Sequence, residues 1–121
     1  QGVLTAANCS QFADGAAAVL IADESYAREA GLVPRARFLA RVVAADDPAL
    51  ALMAIVPATN EALKRSGLSI EQIDWIEINE AFSTVVLAWQ KEVGAKGDQI
   101  NPWGGAIAHG HALGATGCVL M

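Results

Sequence analysis

The sequence predicts an α/β fold, a mixed or parallel β-sheet covered by helices, and three observations lead to that prediction. Short apolar, β-branched runs alternate along the chain with segments of helical periodicity. Several helical segments carry their own start or stop signals. The 121 residues suffice for about one ordinary domain. Apolar residues make up 54% of them, above the usual share of about 45–50%, so we expect large buried interfaces or a segment of a larger body.

The first part of the chain predicts two strands and one helix. The apolar run 16–22 follows an Asp-Gly turn and suits a strand covered on both faces, although its alanines would also suit a helix. Residues 24–30 predict a short helix that ends at Gly31, because glycine favours the left-handed conformation after a helix. Residues 36–45 are rich in apolar and β-branched side chains and predict a second strand.

The later part predicts further helices and strands in alternation. A helix over 58–66 opens at Pro57 and ends at Gly67. The sequence Ser-x-x-Gln at 69–72 is a capping box and predicts a short helix from residue 70. Alternating apolar and acidic residues predict a strand that ends near residue 79. The remaining predictions are a helix over 81–93 ended by a glycine, a strand-like stretch over 100–108 and a helix that begins near residue 114.

Charge and cysteine usage exclude several classes of protein. The net charge is −5 and no basic run occurs, so nucleic acid is not expected as a partner. No apolar run reaches the ~18 residues of a membrane helix, so no membrane association is expected. Cys9 and Cys118 form neither a disulfide framework nor a zinc pattern, which favours a reducing, cytoplasmic location. We expect no metal and no bound cofactor.

His111 is a candidate catalytic residue because of its glycine-rich surroundings. It lies between Gly110 and Ala112, so backbone could approach a ligand closely on both sides. The helix that follows presents free N–H groups, which favour developing negative charge. An imidazole there can donate a hydrogen bond or transfer a proton near neutral pH. The alternative is a buried histidine that ties loop carbonyls together.

Two further polar clusters are candidates for the same chemistry. Asn79 ends a predicted strand, where open α/β folds place their ligands, but it could instead cap the helix that starts at Ala81. Glu80 could be a structural acceptor beside it, and Phe82 would by default be core of that helix. Ser10 could equally belong to a turn or helix cap.

Neither cysteine is a convincing nucleophile on these residues alone. No base lies near Cys9 in the sequence, and a free cysteine is usually a small buried apolar residue. Cys118 falls on the apolar start of the last helix, where core packing is favoured.

Taken together, the three clusters resemble the thiolase family. The stretch "NCSQFADGAAAVL" is similar to the family's N-x-S-x-x-x-D-G-A-A-A segment, and "IEINEAF" contains its Asn-Glu-Ala-Phe motif. The stretch "NPWGGAIAHGHALGATG" resembles its glycine-rich N-x-x-G-G-A-I-A-x-G-H-P-x-G-A-[ST]-G. The likeness runs in the right order over essentially all of the chain.

The resemblance implies a fold of two similar halves stacked as α/β/α/β/α, present here as a partial segment. Residues 1–33 would end the N-terminal half, and 34–121 would form a truncated C-terminal half. The implied reaction is thiolytic cleavage of a 3-ketoacyl-CoA, or the reverse Claisen condensation. Coenzyme A and acyl-CoA thioesters would be substrates rather than bound cofactors, and a homodimer or homotetramer is implied.

The resemblance also implies roles for four residues. His111 matches the family's catalytic histidine, which helps to activate a cysteine and donates to the thioester oxygen. Asn79 matches the asparagine that holds a water in the same oxyanion site. Ser10 and Phe82 match residues at the pantetheine arm of coenzyme A.

The sequence departs from the family pattern at a few positions. Ala112 replaces the proline after the catalytic histidine, so the loop could be less rigid there. His109 stands where the family is usually apolar, and we expect it to be a neighbour rather than a second catalyst. Ala7 stands where glycine is common. Cys9 and Cys118 match neither of the family's two catalytic cysteines, so we expect residues 1–121 alone to be inactive.

Two other functions are compatible with these residues. One is a decarboxylating ketoacyl synthase of the same superfamily, which generally uses two histidines with one cysteine. The other is a non-catalytic, thiolase-like protein that binds acyl-CoA or lipid.

Overall fold

The computed structural model of the chain describes residues 2–121. Within them lie five α-helices and four short 3-10 helices. The α-helices are α1 (Glu24–Glu29), α2 (Ile55–Ser66), α3 (Ser83–Val93), α4 (Ala106–His109) and α5 (Thr116–Leu120). The 3-10 helices are Ala6–Asn8, Pro48–Leu50, Ile70–Gln72 and Gly97–Gln99.

The two longest helices, α2 and α3, pack against each other through Trp89. This side chain is only 4% exposed, and its indole Nε1 donates a hydrogen bond of 2.9 Å to Thr59 Oγ1 on α2. The Thr59 hydroxyl in turn donates to the carbonyl of Ile55 over 2.7 Å. The buried indole N–H is thus satisfied, as burial of a polar group requires.

The predicted helix ends are confirmed. Gly67 and Gly94 follow α2 and α3 with φ of 72° and 74°, a left-handed conformation that costs glycine no steric strain. In the predicted capping box, the backbone N–H of Ser69 donates to Gln72 Oε1 over 2.9 Å. The helix that follows it is a single 3-10 turn.

Backbone pairing between segments is sparse, and this corrects two predicted strands. Among residues 2–121 the bridges outside helices are isolated: Cys9 with Phe82, Phe12 with His111, and Ile76 with Ile100. The segments 16–22 and 36–45 form no ladder and are largely exposed, with Leu20 at 84% and Val43 at 101%. The prediction of a buried strand at 16–22 was therefore wrong for these residues, because no other described segment pairs with them.

The stretch 100–108 was also predicted as strand-like, and this is only partly right. Ile100 pairs with Ile76, but a turn follows and α4 begins at Ala106, which is 3% exposed. Helix α3 begins at Ser83, two residues later than predicted, and α2 begins at Ile55, two residues before Pro57.

Much of the apolar surplus lies on the surface rather than in a core. The buried apolar residues are Ala27, Trp89, Ala95 and Ala106, while Phe12, Leu20 and Trp103 are each more than 80% exposed. Exposed apolar area of this kind is typical of surfaces that other protein covers. Among residues 2–121, no helix has the length and apolar character needed to cross a membrane.

Candidate active site

The three polar clusters of the sequence are brought together by the segment 9–13. On one edge of this segment, the backbone N–H of Ser10 donates to the carbonyl of Ala81 over 3.2 Å. Cys9 forms an antiparallel bridge with Phe82 next to it. The Asn-Glu-Ala-Phe motif therefore lies directly beside the Asn-Cys-Ser motif.

The other edge of the same segment holds the backbone of His111. The His111 N–H donates to the Gln11 carbonyl over 2.8 Å, and the Ala13 N–H donates to the His111 carbonyl over 3.2 Å. Backbone groups of successive residues in an extended segment point to opposite edges, so the segment 9–13 lies between the two motifs. Two strand spacings, about 10 Å, then separate the backbones of Ala81 and His111.

Asn101 holds both neighbours of Asn79, the backbone of Ile78 and the side-chain carboxylate of Glu80. Its Oδ1 accepts from the Ile78 N–H over 2.8 Å, and its Nδ2 donates to the Ile78 carbonyl over 2.9 Å. Nδ2 also donates to Glu80 Oε1 over 2.8 Å. Asn101 is 8% exposed and has a φ of 45°, a left-handed conformation that asparagine tolerates better than most residues.

The side-chain oxygen of Asn79 is not held by hydrogen bonds as its neighbours are. Its Oδ1 is buried and has no hydrogen-bond partner among residues 2–121. The alternative role as a helix cap is wrong, because α3 begins after Phe82 and its N-terminus has no side-chain cap. Gln99 Oε1 is the other buried, unpaired side-chain acceptor among residues 2–121, and Asn79 Oδ1 can accept from a donor outside the described chain.

The carboxylate of Glu80 joins this motif to the loop that leads to His111. Glu80 Oε2 accepts from the backbone N–H of Ile107 over 3.0 Å, at the start of α4. Gly105 packs so closely on Glu80 that a Cβ built there would lie 2.1 Å from its carboxyl carbon. The expectation that Glu80 is a structural acceptor is thus met, and Gly105 is needed for the approach.

The His111 side chain is anchored by Thr116 rather than by loop carbonyls. Its Nδ1 lies 2.7 Å from Thr116 Oγ1, and Thr116 Oγ1 lies 3.0 Å from the carbonyl oxygen of Ala112. Thr116 is 7% exposed, and His111 is half-buried. This is the one side-chain hydrogen bond of His111 among residues 2–121, so Nε2 makes no hydrogen bond to the described chain.

Gly110, directly before His111, serves close packing within the chain, which corrects part of the sequence interpretation. Gly110 has a φ of 92°, and a Cβ there would lie 2.5 Å from the Cβ of Ala13. A Cβ at Gly15 would lie 2.8 Å from the Cβ of Ala112. The space where a side chain of residue 110 would lie is therefore occupied by Ala13 and is not open to a ligand.

The other candidate residues are Ser10, Phe82 and His109. Ser10 is half-buried, and its hydroxyl is 3.4 Å from the Ala81 carbonyl. Phe82 precedes α3 with an extended backbone and is 39% exposed, so the alternative that places it in the helix core is wrong. His109 is exposed, with Nδ1 3.1 Å from the Gly110 carbonyl, and lines a cavity with Trp75 and Trp103.

Sequence reasoning missed two residues that organise the site. Asn101 gave a weak signal, because the Asn-Pro pair in "NPWGG" indicates a turn and asparagine tolerates positive φ. Thr116 stands at the Ser/Thr position of the glycine-rich motif, but its role could not be predicted, because its contact with His111 depends on the turn between Gly110 and α5.

Comparison with known proteins identifies the family to which the sequence is similar. Residues 32–121 match the family described as Thiolase, C-terminal domain. A steroid 3-ketoacyl-CoA thiolase of Mycobacterium tuberculosis is 53% identical over 120 residues, which cover 99% of this chain. An acetyl-CoA acetyltransferase of Escherichia coli is 46% identical over 120 residues, also 99% of this chain. The chain spans about 30% of the length of each of these relatives.

The fold agrees with this relationship. The crystal structure of human mitochondrial 3-ketoacyl-CoA thiolase superposes with a TM-score of 0.89 at 34% identity, over 98% of this chain and 30% of that one. The predicted α/β, thiolase-like fold class is thereby confirmed as a partial segment. Because the family model covers most of the chain and the fold agrees with it, the chain belongs to the thiolases.

Proposed function

We propose that these residues are part of an acyl-CoA thiolase. The protein would transfer an acyl group to coenzyme A by thiolytic cleavage of a 3-ketoacyl-CoA, or run the reverse Claisen condensation. Residues 1–33 would end its N-terminal half, and residues 34–121 would form most of its C-terminal half. The observation that carries the proposal is the unpaired, buried Oδ1 of Asn79, two residues before Ala81, whose backbone pairs with the segment that also holds His111.

Asn79 would bind a water in the oxyanion site. A water that donates one O–H to the buried Oδ1 satisfies that acceptor and keeps its second O–H for a ligand. The hydrogen bonds of Asn101 to both neighbours of Asn79 fix the backbone that carries this amide. A donor held in place before reaction stabilises the tetrahedral anion without a reorganisation cost.

His111 would take the proton of the nucleophilic cysteine and then donate to the thioester oxygen. Its backbone is held by two hydrogen bonds to the segment 9–13, and its Nδ1 by Thr116. The free Nε2 is the atom left for this chemistry. Neither Cys9, which is half-buried beside Asn8, nor the exposed Cys118 matches a family cysteine, so another cysteine would be the nucleophile.

Ser10 and Phe82 would contact the pantetheine arm of coenzyme A. They lie on two paired segments, with Phe82 opposite Cys9 and Ser10 bonded to Ala81. Phe82 exposes 39% of its surface, which leaves ring area for an apolar part of that arm. Coenzyme A and acyl-CoA thioesters would be substrates, with no bound cofactor, in a cytoplasmic homodimer or homotetramer.

The test is the thiolysis rate of the full-length protein and of two substitutions. His111→Ala and Asn79→Ala should each lower kcat by about 10²–10³-fold, with little change in the KM for coenzyme A. The first substitution removes a transition-state donor, and the second removes the acceptor that would hold the donor water. His109→Ala is the matched control and should keep kcat within about twofold. His109 lines the cavity with Trp75 and Trp103, and His111 does not line that cavity.

Two outcomes would contradict the proposal. If His111→Ala retains most of the turnover, the histidine does not have this role. If the full-length protein decarboxylates a malonyl thioester and does not cleave a 3-ketoacyl-CoA, it is a ketoacyl synthase. Residues 1–121 expressed alone should produce no acetyl-CoA, and measurable production would overturn the assignment of the nucleophile to another cysteine.

A further inference from the structure

We propose that Thr116 is a positioning residue that fixes the tautomer of His111, with the proton of the neutral ring on Nδ1 and the lone pair on Nε2. The proposal rests on the function proposed above, because it concerns the histidine that is to carry the proton. Thr116 stands at the Ser/Thr position of the glycine-rich motif, and the resemblance gives it no role.

The geometry that carries the inference is a two-step chain of hydrogen bonds. Thr116 is the first residue of α5, and its hydroxyl reaches back 3.0 Å to the Ala112 carbonyl four residues earlier. Threonine side chains in helices commonly donate to the carbonyl four residues earlier in this way, and the bond uses the hydroxyl proton. The lone pairs of Oγ1 then face His111 Nδ1 at 2.7 Å, and only an N–H on Nδ1 can complete that contact.

Burial keeps water from replacing this arrangement. Thr116 is 7% exposed, and α5 packs it between the turn at Ala112 and the imidazole. Its backbone N–H also donates to the Ala112 carbonyl, over 3.0 Å, so the helix start and the hydroxyl are held by the same group. The Ala112 carbonyl also accepts from the Ala115 N–H over 3.0 Å, so the backbone of this turn is fixed and holds Thr116 Oγ1 between the carbonyl and Nδ1.

The same arrangement also suits the charged state of the ring. An imidazolium has an N–H on both nitrogens, so its Nδ1–H donates to Thr116 as before and the hydroxyl need not rotate. In the opposite tautomer, with the neutral proton on Nε2, the hydroxyl would donate to Nδ1 instead of Ala112, and it would have to turn back to Ala112 when Nδ1 gains a proton. The tautomer with Nδ1–H thus lets the ring gain a proton with no rearrangement of its support.

The consequence for the chemistry is a defined proton path. The lone pair on Nε2 accepts the proton of a cysteine thiol, so that the S–H bond breaks, the Nε2–H bond forms, and a thiolate and an imidazolium result. The new Nε2–H is then the donor to the thioester oxygen as negative charge develops there. A ring that already held its neutral proton on Nε2 could donate but could not take the thiol proton at that atom.

The first test is the ¹⁵N NMR spectrum of the histidine rings in the full-length protein near neutral pH, with His111 assigned through His111→Ala. We expect a pyrrole-like Nδ1 and a pyridine-like Nε2. The reverse pattern in the unmodified protein would overturn the proposal. This measurement needs no change at Thr116 and does not depend on activity.

The second test compares three substitutions in the thiolysis assay. Thr116→Val keeps the shape but removes the hydroxyl, and should lower kcat about 10- to 100-fold with the KM for the acyl-CoA little changed. Thr116→Ser restores the hydroxyl and should recover kcat to within about threefold. Thr84→Val, at a half-buried threonine of α3, is the matched control and should leave kcat unchanged.

The outcomes separate this proposal from the proposed function. If Thr116→Val is as active as the unmodified protein while His111→Ala is inactive, the tautomer proposal fails and the thiolase function stands. If Thr116→Ser is as impaired as Thr116→Val, the hydroxyl is not the determinant and the proposal fails. If the unmodified protein lacks thiolysis, the function fails, while the NMR pattern still decides the tautomer.

Discussion

Glu80 and Asn101 are joined by a hydrogen bond of 2.8 Å from Asn101 Nδ2 to Glu80 Oε1. Through this pair, the backbone that carries Asn79 is tied to the loop that leads to His111. The second carboxylate oxygen, Oε2, accepts from Ile107 at the start of α4. The two candidate catalytic residues thus share one support, and the predictions below test its parts.

The carboxylate of Glu80 should be required because both of its oxygens accept from fixed donors. Glu80→Gln replaces one oxygen by an NH₂ group, which then faces an N–H at close range. We expect the free energy of unfolding to fall by about 1–3 kcal/mol, the usual cost of an unmade buried hydrogen bond. Glu92→Gln, at an exposed glutamate of α3, is the control and should change it by less than about 0.5 kcal/mol.

Gly105 and Gly117 should respond oppositely to the same substitution. Gly105→Ala places a Cβ onto the Glu80 carboxylate, while the backbone of Gly105, with φ of −139°, itself would accept alanine. We expect a loss of about 1–3 kcal/mol from overpacking, or more if Glu80 is displaced. At Gly117, within α5, the Cβ meets open space, so alanine should be neutral or stabilise by up to about 1 kcal/mol. Urea unfolding curves measure both, and equal effects would contradict the assigned packing.

The hydrogen bond between Trp89 and Thr59 should stabilise the contact of α2 with α3. Thr59→Val leaves the buried indole N–H without an acceptor, and we expect the free energy of unfolding to fall by about 1–3 kcal/mol. Thr59→Ser keeps the hydroxyl and should recover most of the loss. Thermal unfolding followed by tryptophan fluorescence reports this directly, and identical midpoints for the two variants would refute the role of the hydroxyl.

Helix α1 should lose stability in acid through Asp23. Hydrogen bonds from the side chain and the backbone N–H of Ser25 lower the pKa of Asp23 below its ordinary value of 3.8. A carboxyl whose pKa is lowered on folding contributes stability above its unfolded pKa and loses it as the pH falls through the folded value. The amide NMR signals of 24–29 should therefore be constant from pH 7 to about pH 5 and change below about pH 4.

The control for this titration is Asp23→Asn. Asparagine is also a good helix cap but does not titrate, so the acid transition of the signals from 24–29 should disappear in that variant. If the transition persists, another group controls α1. Glu24 and Arg28 form an exposed i,i+4 pair in the same helix, which makes only a small contribution.

Local chemistry was enough to predict most helix ends. Gly67 and Gly94 end α2 and α3 because a left-handed residue is needed there, and that need is local to the chain. The capping box at 69–72 is likewise local. The same reasoning failed at 16–22, because a strand exists only when another segment pairs with it, and periodicity within one segment does not show the partner.

The site divides in the same way. By itself, the sequence determined which residues could do the chemistry, since His111, Asn79, Ser10 and Phe82 stand in motifs whose order and spacing are readable along the chain. Only the tertiary structure decided how those motifs meet: across the segment 9–13, with Asn101 beside Asn79 and Thr116 behind His111. The physical reason is that hydrogen bonds between residues far apart in the chain depend on distance and direction in space, and no local pattern of residue types encodes either.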